Sequence, residues 1–286
     1  MRRVTGGIVA VVASVLVASC TGPDDSPVPS AGPPSRAETA DPAAGRTAPP
    51  PSPDPAPRTG ICRRLGPDDL RTIVNDDPRV RCRSRHTAVT FHVGRLPKRV
   101  TRGATTAGDA AIERAADRVC ASRLRPYVGG DRTDRALSML ASTYFLPSSR
   151  QFALGARWVR CDLFAYATPT RVAELPGRMR RILDRDNVSA AFARCSPVSP
   201  SHQRFQHVTC DEPHRWRAVD TLVLGRPGER YPGRGTVQGR ARERCEGRVR
   251  DYLGTDSGFS YGFEVPRRHA WSGGDRSGFC WARTSG

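Results

Sequence analysis

The stretch TCDEPHRW, residues 209–216, places Cys210 four positions before His214. An earlier stretch, RCRSRH at residues 81–86, repeats this spacing. A Cys-x-x-x-His pair can be half of a metal site, part of a catalytic pair, or the mark of a repeated structural unit. The remaining cysteines decide between these interpretations.

Eight cysteines follow residue 60, and their surroundings repeat. Seven positions separate Cys120 from Tyr127 and also Cys245 from Tyr252, and fourteen positions separate a proline from the last cysteine of each set. Agreement in three separate blocks predicts two copies of one module. The eight cysteines, in two sets of four, are Cys62, Cys82, Cys120 and Cys161, then Cys195, Cys210, Cys245 and Cys280.

The two predicted modules are residues 61–168 and 184–286, with a short helical connector at residues 169–183. After each Cys-x-x-x-His, alternation of apolar and polar residues predicts a strand. Around each third cysteine, apolar residues recur at helical spacing, with the cysteine on the apolar face. The pattern predicts an α+β fold of two tandem disulfide-stapled modules, each a helix packed on a small antiparallel sheet. Gly129 and Gly254 are the predicted helix stops.

Four cysteines per module indicate two disulfides in an oxidising compartment. Three pairings are possible within each module. We favour the one that joins the second cysteine to the third and the first to the fourth, because a helix cysteine facing a sheet is well placed to meet a strand cysteine.

The amino terminus indicates export. Arg2 and Arg3 precede a short apolar run, and Val-Ala-Ser then leads into Cys20. This layout is typical of a signal peptide rather than a membrane-spanning helix. The last four residues resemble a bacterial lipobox, which implies that residues 1–19 are removed and that Cys20 is lipidated, for example with palmitate. The alternative is ordinary signal cleavage with an unmodified Cys20.

Residues 20–60 are rich in Pro, Ser and Ala, which predicts a disordered stalk between a lipid anchor and the folded part. The protein is therefore expected at the extracytoplasmic face of the cell membrane.

The formal net charge of +18 falls on residues 61–286, because the charges of the signal and the stalk cancel. Lys98 is the one lysine in the chain, so arginine carries this charge. A GC-rich coding bias is one explanation, and attraction to polyanions is the other. For an exported protein the polyanion would be a lipid headgroup or an anionic wall polymer, and nucleic acid is not expected.

The second module contains V-T-C-x-x-P-H at 208–214, the following strand, Y-P-G at 231–233, the helix with Cys245, Y-L-G at 252–254, Pro266, and W-x-x-G-D-R from 271 leading to Cys280. In these features it resembles the actinobacterial septum formation domain, and the first module resembles this domain in degenerate form. The resemblance implies a non-catalytic envelope module linked to cell division. Where the family usually has an acidic residue three positions after the histidine, this chain has Arg217 and Val89.

Enzymatic and metal-dependent functions are not favoured by the motifs. A structural zinc needs four ligands, and Cys210 with His214 supplies two. Cys195 or Cys245 could add more, but exported thiols tend to be oxidised. No G-x-S-x-G nucleophile elbow occurs, and no single cysteine stands out as a nucleophile. We therefore expect no catalytic residues, no metal and no cofactor.

The histidine of each motif is expected to fill space and to hydrogen-bond a backbone group where the strand begins. The rival hypothesis is a ligand or partner pocket. Its candidate residues are His86, His214, Tyr231, Tyr252, Trp271 and Arg276. The functional prediction is an envelope lipoprotein that acts as an interaction or scaffold module, with an envelope or divisome protein as partner. The alternative is a receptor-like binder of an anionic wall or lipid component.

Overall fold

The computed structural model describes residues 51–284, apart from the side chains of residues 187–189. We call residues 51–185 the first half and residues 186–284 the second half. The first half contains β1 (Cys62–Arg63), β2 (Ala88–Arg95), α1 (Lys98–Thr101), α2 (Ala110–Val128), α3 (Arg132–Leu137), β3 (Leu140–Phe145), α4 (Ser149–Ala153), β4 (Trp158–Thr168) and β5 (Arg171–Val172). The second half contains α5 (Asp186–Ala191), β6 (Arg194–Ser196), β7 (Val208–Thr209), β8 (Trp216–Val223), α6 (Arg234–Leu253), β9 (Tyr261–Glu264), α7 (Arg268–Ser272) and β10 (Ser277–Arg283).

Each half has its own five-stranded antiparallel sheet. In the first half the strand order is β1-β2-β4-β3, with β5 paired to β4. In the second half the order is β7-β6-β8-β10-β9. The predicted mixture of helices and antiparallel sheets is confirmed.

One long helix covers one face of each sheet. The buried positions of α6 are spaced four residues apart, as an apolar stripe of a helix requires: Val237, Ala241, Cys245 and Val249. Helix α2 buries Ile112, Ala116 and Cys120 in the same way. Both helices end where the sequence predicts. Gly254 and Gly129 have φ of 62° and 77°, a region that suits glycine, and their amides cap Arg250 and Arg125 carbonyls.

Both sheets carry a β-bulge at the same place. In β2, Thr90 pairs with Asp162 and His92 pairs with Cys161, so Phe91 is the extra residue. In β8, Ala218 pairs with Trp281 and Asp220 with Cys280, so Val219 is the extra residue. Each extra residue lies five positions after the motif histidine. A bulge changes the local direction of a strand. In each half the bulge lies beside the strand cysteine, Cys161 or Cys280, that forms a disulfide with the long helix.

Four disulfides connect the eight cysteines of the described residues, so the prediction of two per half is confirmed. The favoured pairing was wrong, because the first cysteine joins the second and the third joins the fourth. Cys62 lies in the two-residue strand β1, and its carbonyl accepts a hydrogen bond from the Val80 amide. This contact brings Cys82, two residues further along the chain, beside Cys62. The bridges are Cys62–Cys82, Cys120–Cys161, Cys195–Cys210 and Cys245–Cys280.

The predicted connector is extended rather than helical. Strand β5 pairs with β4, and the Leu175 amide then donates to the carbonyl of His86 at 2.9 Å. Pro176 and Gly177 follow, and neither favours a helix interior. A 3-10 turn at Ile182–Asp184 is the one helical element of this segment.

The two halves contact each other within one compact unit. The Met139 amide donates to the Phe192 carbonyl at 2.8 Å, and Ser138 forms an isolated bridge with Ala193. These contacts join the start of β3 to the segment before β6.

The amino-terminal predictions fall largely outside the described residues. The signal at residues 1–19, Cys20 and the stalk up to residue 50 are not described. Residues 51–60, predicted as part of the stalk, lie against the rest of the first half, where Asp54 and Gln151 exchange two hydrogen bonds of 2.7 and 2.6 Å. Among the helices of residues 51–284, none combines the length and the hydropathy of a membrane-spanning segment.

Candidate functional site

The two Cys-x-x-x-His motifs have the same local geometry. In each, the cysteine is bridged to the first cysteine of its half. The histidine Nδ1 lies 2.8 Å from the carbonyl oxygen two residues earlier, Ser84 for His86 and Glu212 for His214. A carbonyl can only accept, so each ring carries its proton on Nδ1. This agrees with the expectation that the ring fixes the strand entry.

The two histidines differ in their exposure. His86 is 1 % exposed, and its Nε2 has no hydrogen-bond partner in the described part of the chain. His214 is half-buried and lines an open cavity of about 660 Å³. The histidine of the second motif is therefore accessible, and the histidine of the first is not.

The cavity beside His214 has a basic lining. Arg215 and Arg283 lie on its wall with His214, and Phe259 gives it an apolar side. Its remaining lining residues carry no carboxylate: Leu253, Thr255, Gly258, Ser260 and Thr284. The Thr284 hydroxyl is buried and has no hydrogen-bond partner among residues 51–284. Such a lining suits an anionic group with an apolar part.

Three of the predicted site residues come together, but in a packed cluster rather than a pocket. Trp271 is 1 % exposed, and its indole Nε1 donates to the Glu229 carbonyl at 2.7 Å. The Arg276 guanidinium lies 4.2 Å from the ring centre, and the Tyr231 ring packs at 5.6 Å. The Trp271 ring is therefore covered by Arg276 and Tyr231 and is not exposed to a ligand.

The other predicted site residues lie elsewhere. Tyr252 is 49 % exposed and lines a separate cavity of about 260 Å³ together with Arg217 and residues of the first half. His86 is in the core of the first half, and His214 lines the basic cavity. The structure does not bring the six residues into one pocket, because they lie in separate segments: His86 before β2, His214 before β8, Tyr252 at the end of α6, and the remaining three around α7.

The outer face of the first sheet, opposite α2, holds a buried ion pair that the sequence analysis missed. Arg160 Nε and Asp162 Oδ2 lie 3.2 Å apart, and both side chains are almost fully buried. The Thr90 hydroxyl donates to Asp162 at 2.7 Å, and Arg160 donates to Asn75. Burial lowers the pKa of Arg160 and raises the pKa of Asp162, while each opposes the shift of the other. The sequence signal for this ion pair is the presence of two charged residues, one on either side of Cys161, in an otherwise apolar strand.

The outer face of the second sheet has an aromatic cluster instead. The His207 ring stacks on Trp281 at 5.6 Å, and Arg194 lies 4.9 Å over Phe279. Arg194 donates to His207 Nδ1 at 2.8 Å, so Nε2 carries the proton and donates to Glu264 at 2.8 Å. Burial lowers the pKa of Arg194. Because both ring nitrogens are occupied, His207 has no free lone pair for general-base work.

One group of three potential metal ligands occurs among residues 51–284. The ligand atoms of Cys195, Cys210 and His214 all lie within 4.8 Å of one another. In the structure the two sulfurs form a disulfide and so do not act as thiolate ligands. Cys195 and Cys245 are the residues that could supply a third and a fourth ligand. The structure brings Cys195 to the motif, while Cys245 pairs with Cys280.

Comparison with known proteins gives one family. A family model described as septum formation matches residues 59–280, which include both halves in a single span. No curated protein and no solved structure matches the chain.

Proposed function

The chain belongs to the septum formation family, and we propose on that basis that it acts in the cell envelope as a non-catalytic interaction or scaffold module of cell division. The observation that carries the proposal is the family match over most of the chain, which is consistent with a role related to division. All eight cysteines after residue 60 are paired in disulfides, which supports a binding role over thiol catalysis.

The proposal includes a lipid anchor on Cys20 and an extracytoplasmic location. It is supported by the basic, apolar and Val-Ala-Ser-Cys order of the first twenty residues. The four disulfides add support, because such bonds persist mainly outside the cytoplasm.

We also propose that the two halves are copies of one unit. The shared β-bulge, the shared disulfide pairing and the equivalent cation–π contacts support this. Arg157 lies 3.7 Å over Phe152 in the first half, as Arg276 lies over Trp271 in the second. Expression of residues 184–286 alone tests the independence of the copies. A cooperative unfolding transition is expected, and a chain without one would contradict independence.

The experiment that tests the main proposal is imaging of a fluorescent fusion during division, together with membrane fractionation. Enrichment at septa and sedimentation with membranes are expected. The Cys20→Ala variant is the matched control, since it should leave the membrane fraction while keeping the fold. Uniform peripheral signal through the division cycle would contradict the role in septum formation without affecting the anchor.

A second candidate function is binding of an anionic wall or lipid component in the basic cavity beside His214. The cavity lining of Arg215 and Arg283 without a carboxylate favours it. Vesicles of phosphatidylglycerol and soluble polyphosphate are suitable probes, and binding should weaken as salt rises. Arg215→Gln with Arg283→Gln should reduce binding, while Arg99→Gln, an exposed arginine in α1, should not. Equal loss in both variants would indicate non-specific charge attraction.

A further inference from the structure

We propose that Cys195, Cys210 and His214 form a metal site when their disulfide is reduced, with Zn²⁺ as the expected ion. The inference is independent of the septum function. It rests on the position of the three ligand atoms, the charge of Asp211 between Cys210 and His214, and the accessibility of this disulfide.

The ligand atoms are already close enough to converge. Usual Zn–S and Zn–N bonds of roughly 2.3 and 2.1 Å place the ligand atoms of a tetrahedral site about 3.4 to 3.8 Å apart. The three atoms lie within 4.8 Å in the oxidised protein. Breaking the disulfide lets the sulfurs separate to the required distance through side-chain rotation.

The histidine is held in a form that can bind a metal. Its Nδ1 donates to the Glu212 carbonyl at 2.8 Å, which leaves the lone pair on Nε2. Metal-binding histidines usually donate their other ring nitrogen to a carbonyl or carboxylate in this way. Thiolate and imidazole ligands suit Zn²⁺ or Cu⁺ better than Mg²⁺ or Ca²⁺. Three protein ligands leave the fourth position open to water or another ligand.

The residues between cysteine and histidine distinguish the two halves. Asp211 and Glu212 follow Cys210, whereas Arg83 and Arg85 follow Cys82. Glu212 is already paired with Arg171, so Asp211 is the acidic neighbour that favours a cation here, while Arg215 opposes it. Beside Cys82 both charged neighbours are basic and oppose a cation. The equivalent trio of the first half does not form a metal-ligand group in the described residues.

The disulfide is one of two that a reductant can approach. Cys210 and Cys82 are half-buried, while the other six cysteines are at most 1 % exposed. A thiolate of a dithiol attacks the Cys210 sulfur and releases the Cys195 thiolate; the second thiol then closes the dithiol's own disulfide and releases Cys210. The protein gains two electrons and two protons, and the dithiol loses them. Zn²⁺ then displaces the two thiol protons to solvent.

The test uses the full chain, reduced mildly and desalted without oxygen, with Co²⁺ as a spectroscopic probe and Zn²⁺ as competitor. Peptide mapping after alkylation establishes which bridges are open. The expected result is a thiolate-to-cobalt charge-transfer band after reduction that Zn²⁺ abolishes. The oxidised protein should show no such band.

Matched variants identify the ligands. His214→Ala should weaken Zn²⁺ binding at least about tenfold, the low end of the effect of substitutions around metal sites. Cys195→Ser with Cys210→Ser should abolish the band, whereas Cys62→Ser with Cys82→Ser should retain it. His86→Ala is the control for His214→Ala and should not change the affinity.

Three outcomes would overturn the proposal. They are an equal band in the Cys195 and Cys210 double variant, unchanged affinity in His214→Ala, and loss of the folded near-ultraviolet dichroism on mild reduction. The last counts against it because the site requires the folded second half.

Discussion

Arg160 and Asp162 in the first half occupy the positions that Phe279 and Trp281 occupy in the second half. Each pair flanks the cysteine that joins the helix, Cys161 or Cys280, and each faces away from that helix. The first half covers this face with an ion pair capped by Asn75, and the second covers it with stacked rings. Equivalent backbones with the same bulge therefore accommodate either charge or apolar surface.

The difference matters for stability because substitutions affect a buried ion pair and an aromatic cluster in different ways. A buried ion pair offsets its desolvation only while both charges are present. An aromatic cluster loses stability in proportion to the surface that is removed. The first half is therefore expected to be more sensitive to single substitutions on its outer face than to paired ones.

Substitution Asp162→Ala should have the largest effect. It leaves the Arg160 guanidinium buried without its carboxylate, which typically costs about 3 to 5 kcal/mol of the free energy of unfolding. Urea unfolding followed by tryptophan fluorescence measures the change. The matched variant, Arg160→Met with Asp162→Leu, removes both charges and should be close to neutral or stabilising. A double variant as unstable as the single one would show that the pair itself stabilises the fold.

Removal of disulfides should follow in size and should rank by loop length. We call Cys120–Cys161 and Cys245–Cys280 the helix bridges, and they close segments of 41 and 35 residues. We call Cys62–Cys82 and Cys195–Cys210 the entry bridges, and they close segments of 20 and 15 residues. Chain-entropy estimates give about 4 kcal/mol for each helix bridge and about 3 kcal/mol for each entry bridge.

Paired Cys→Ala variants, one bridge at a time, measure these losses by chemical unfolding. Comparison of equivalent bridges in the two halves controls for local packing. Larger losses at Cys62–Cys82 or Cys195–Cys210 than at the helix bridges would contradict the entropic ranking.

The parts of this fold that could be predicted from the sequence are those in which apolar residues recur at a regular spacing. Apolar spacing in α2 and α6, with Cys120 and Cys245 on the apolar faces, follows from helix geometry alone. The pairing of Cys62 was not predictable in this way, since β1 has two residues and Cys82 lies in a turn. Irregular segments carry no periodic signal, and their contacts depend on the completed sheet.

The candidate site was predicted in part for the same reason. Repetition of Cys-x-x-x-His located His214, but the cavity also uses Arg283 and Phe259, which come from distant strands and loops. Trp271 enters the rival hypothesis of a ligand pocket because aromatic residues beside arginines are typical of both binding sites and packed clusters. Burial distinguishes the two, and a single sequence does not give burial at that position.

The cation–π contacts of Arg157 with Phe152 and of Arg276 with Trp271 should show a smaller difference in stability between the two halves. Arg276 donates to the carbonyls of Trp271 and Glu229, whereas Arg157 donates to those of Phe152 and Ala156. Arg276→Met should cost about 2 kcal/mol, because it removes charged hydrogen bonds and the ring contact. Arg157→Met should cost somewhat less, since Arg157 does not reach a second loop. Thermal unfolding of both variants checks this, and a larger loss for Arg157→Met would contradict it.

The smallest expected effect concerns the residue opposite the last cysteine of each half. Asp220 pairs with Arg248 in the second half, and His92 faces Arg123 in the first. Burial, followed by the charge of Arg123, lowers the pKa of His92 below 6.5. The unfolded chain therefore binds the proton more tightly, so the free energy of unfolding falls as the pH drops below about 6.5.

The reciprocal exchange tests this comparison. His92→Asp should stabilise the protein by less than about 1 kcal/mol at pH 7, as expected for a partly exposed ion pair. It should also remove the loss contributed by this position between pH 7 and 5, because a carboxylate beside Arg123 stays ionised there. Asp220→His should introduce a similar loss into the second half. Unfolding curves at both pH values measure the effect, and His92→Asn controls for the loss of the imidazole. If wild type and His92→Asn lose the same stability over this range, His92 is not the group that titrates.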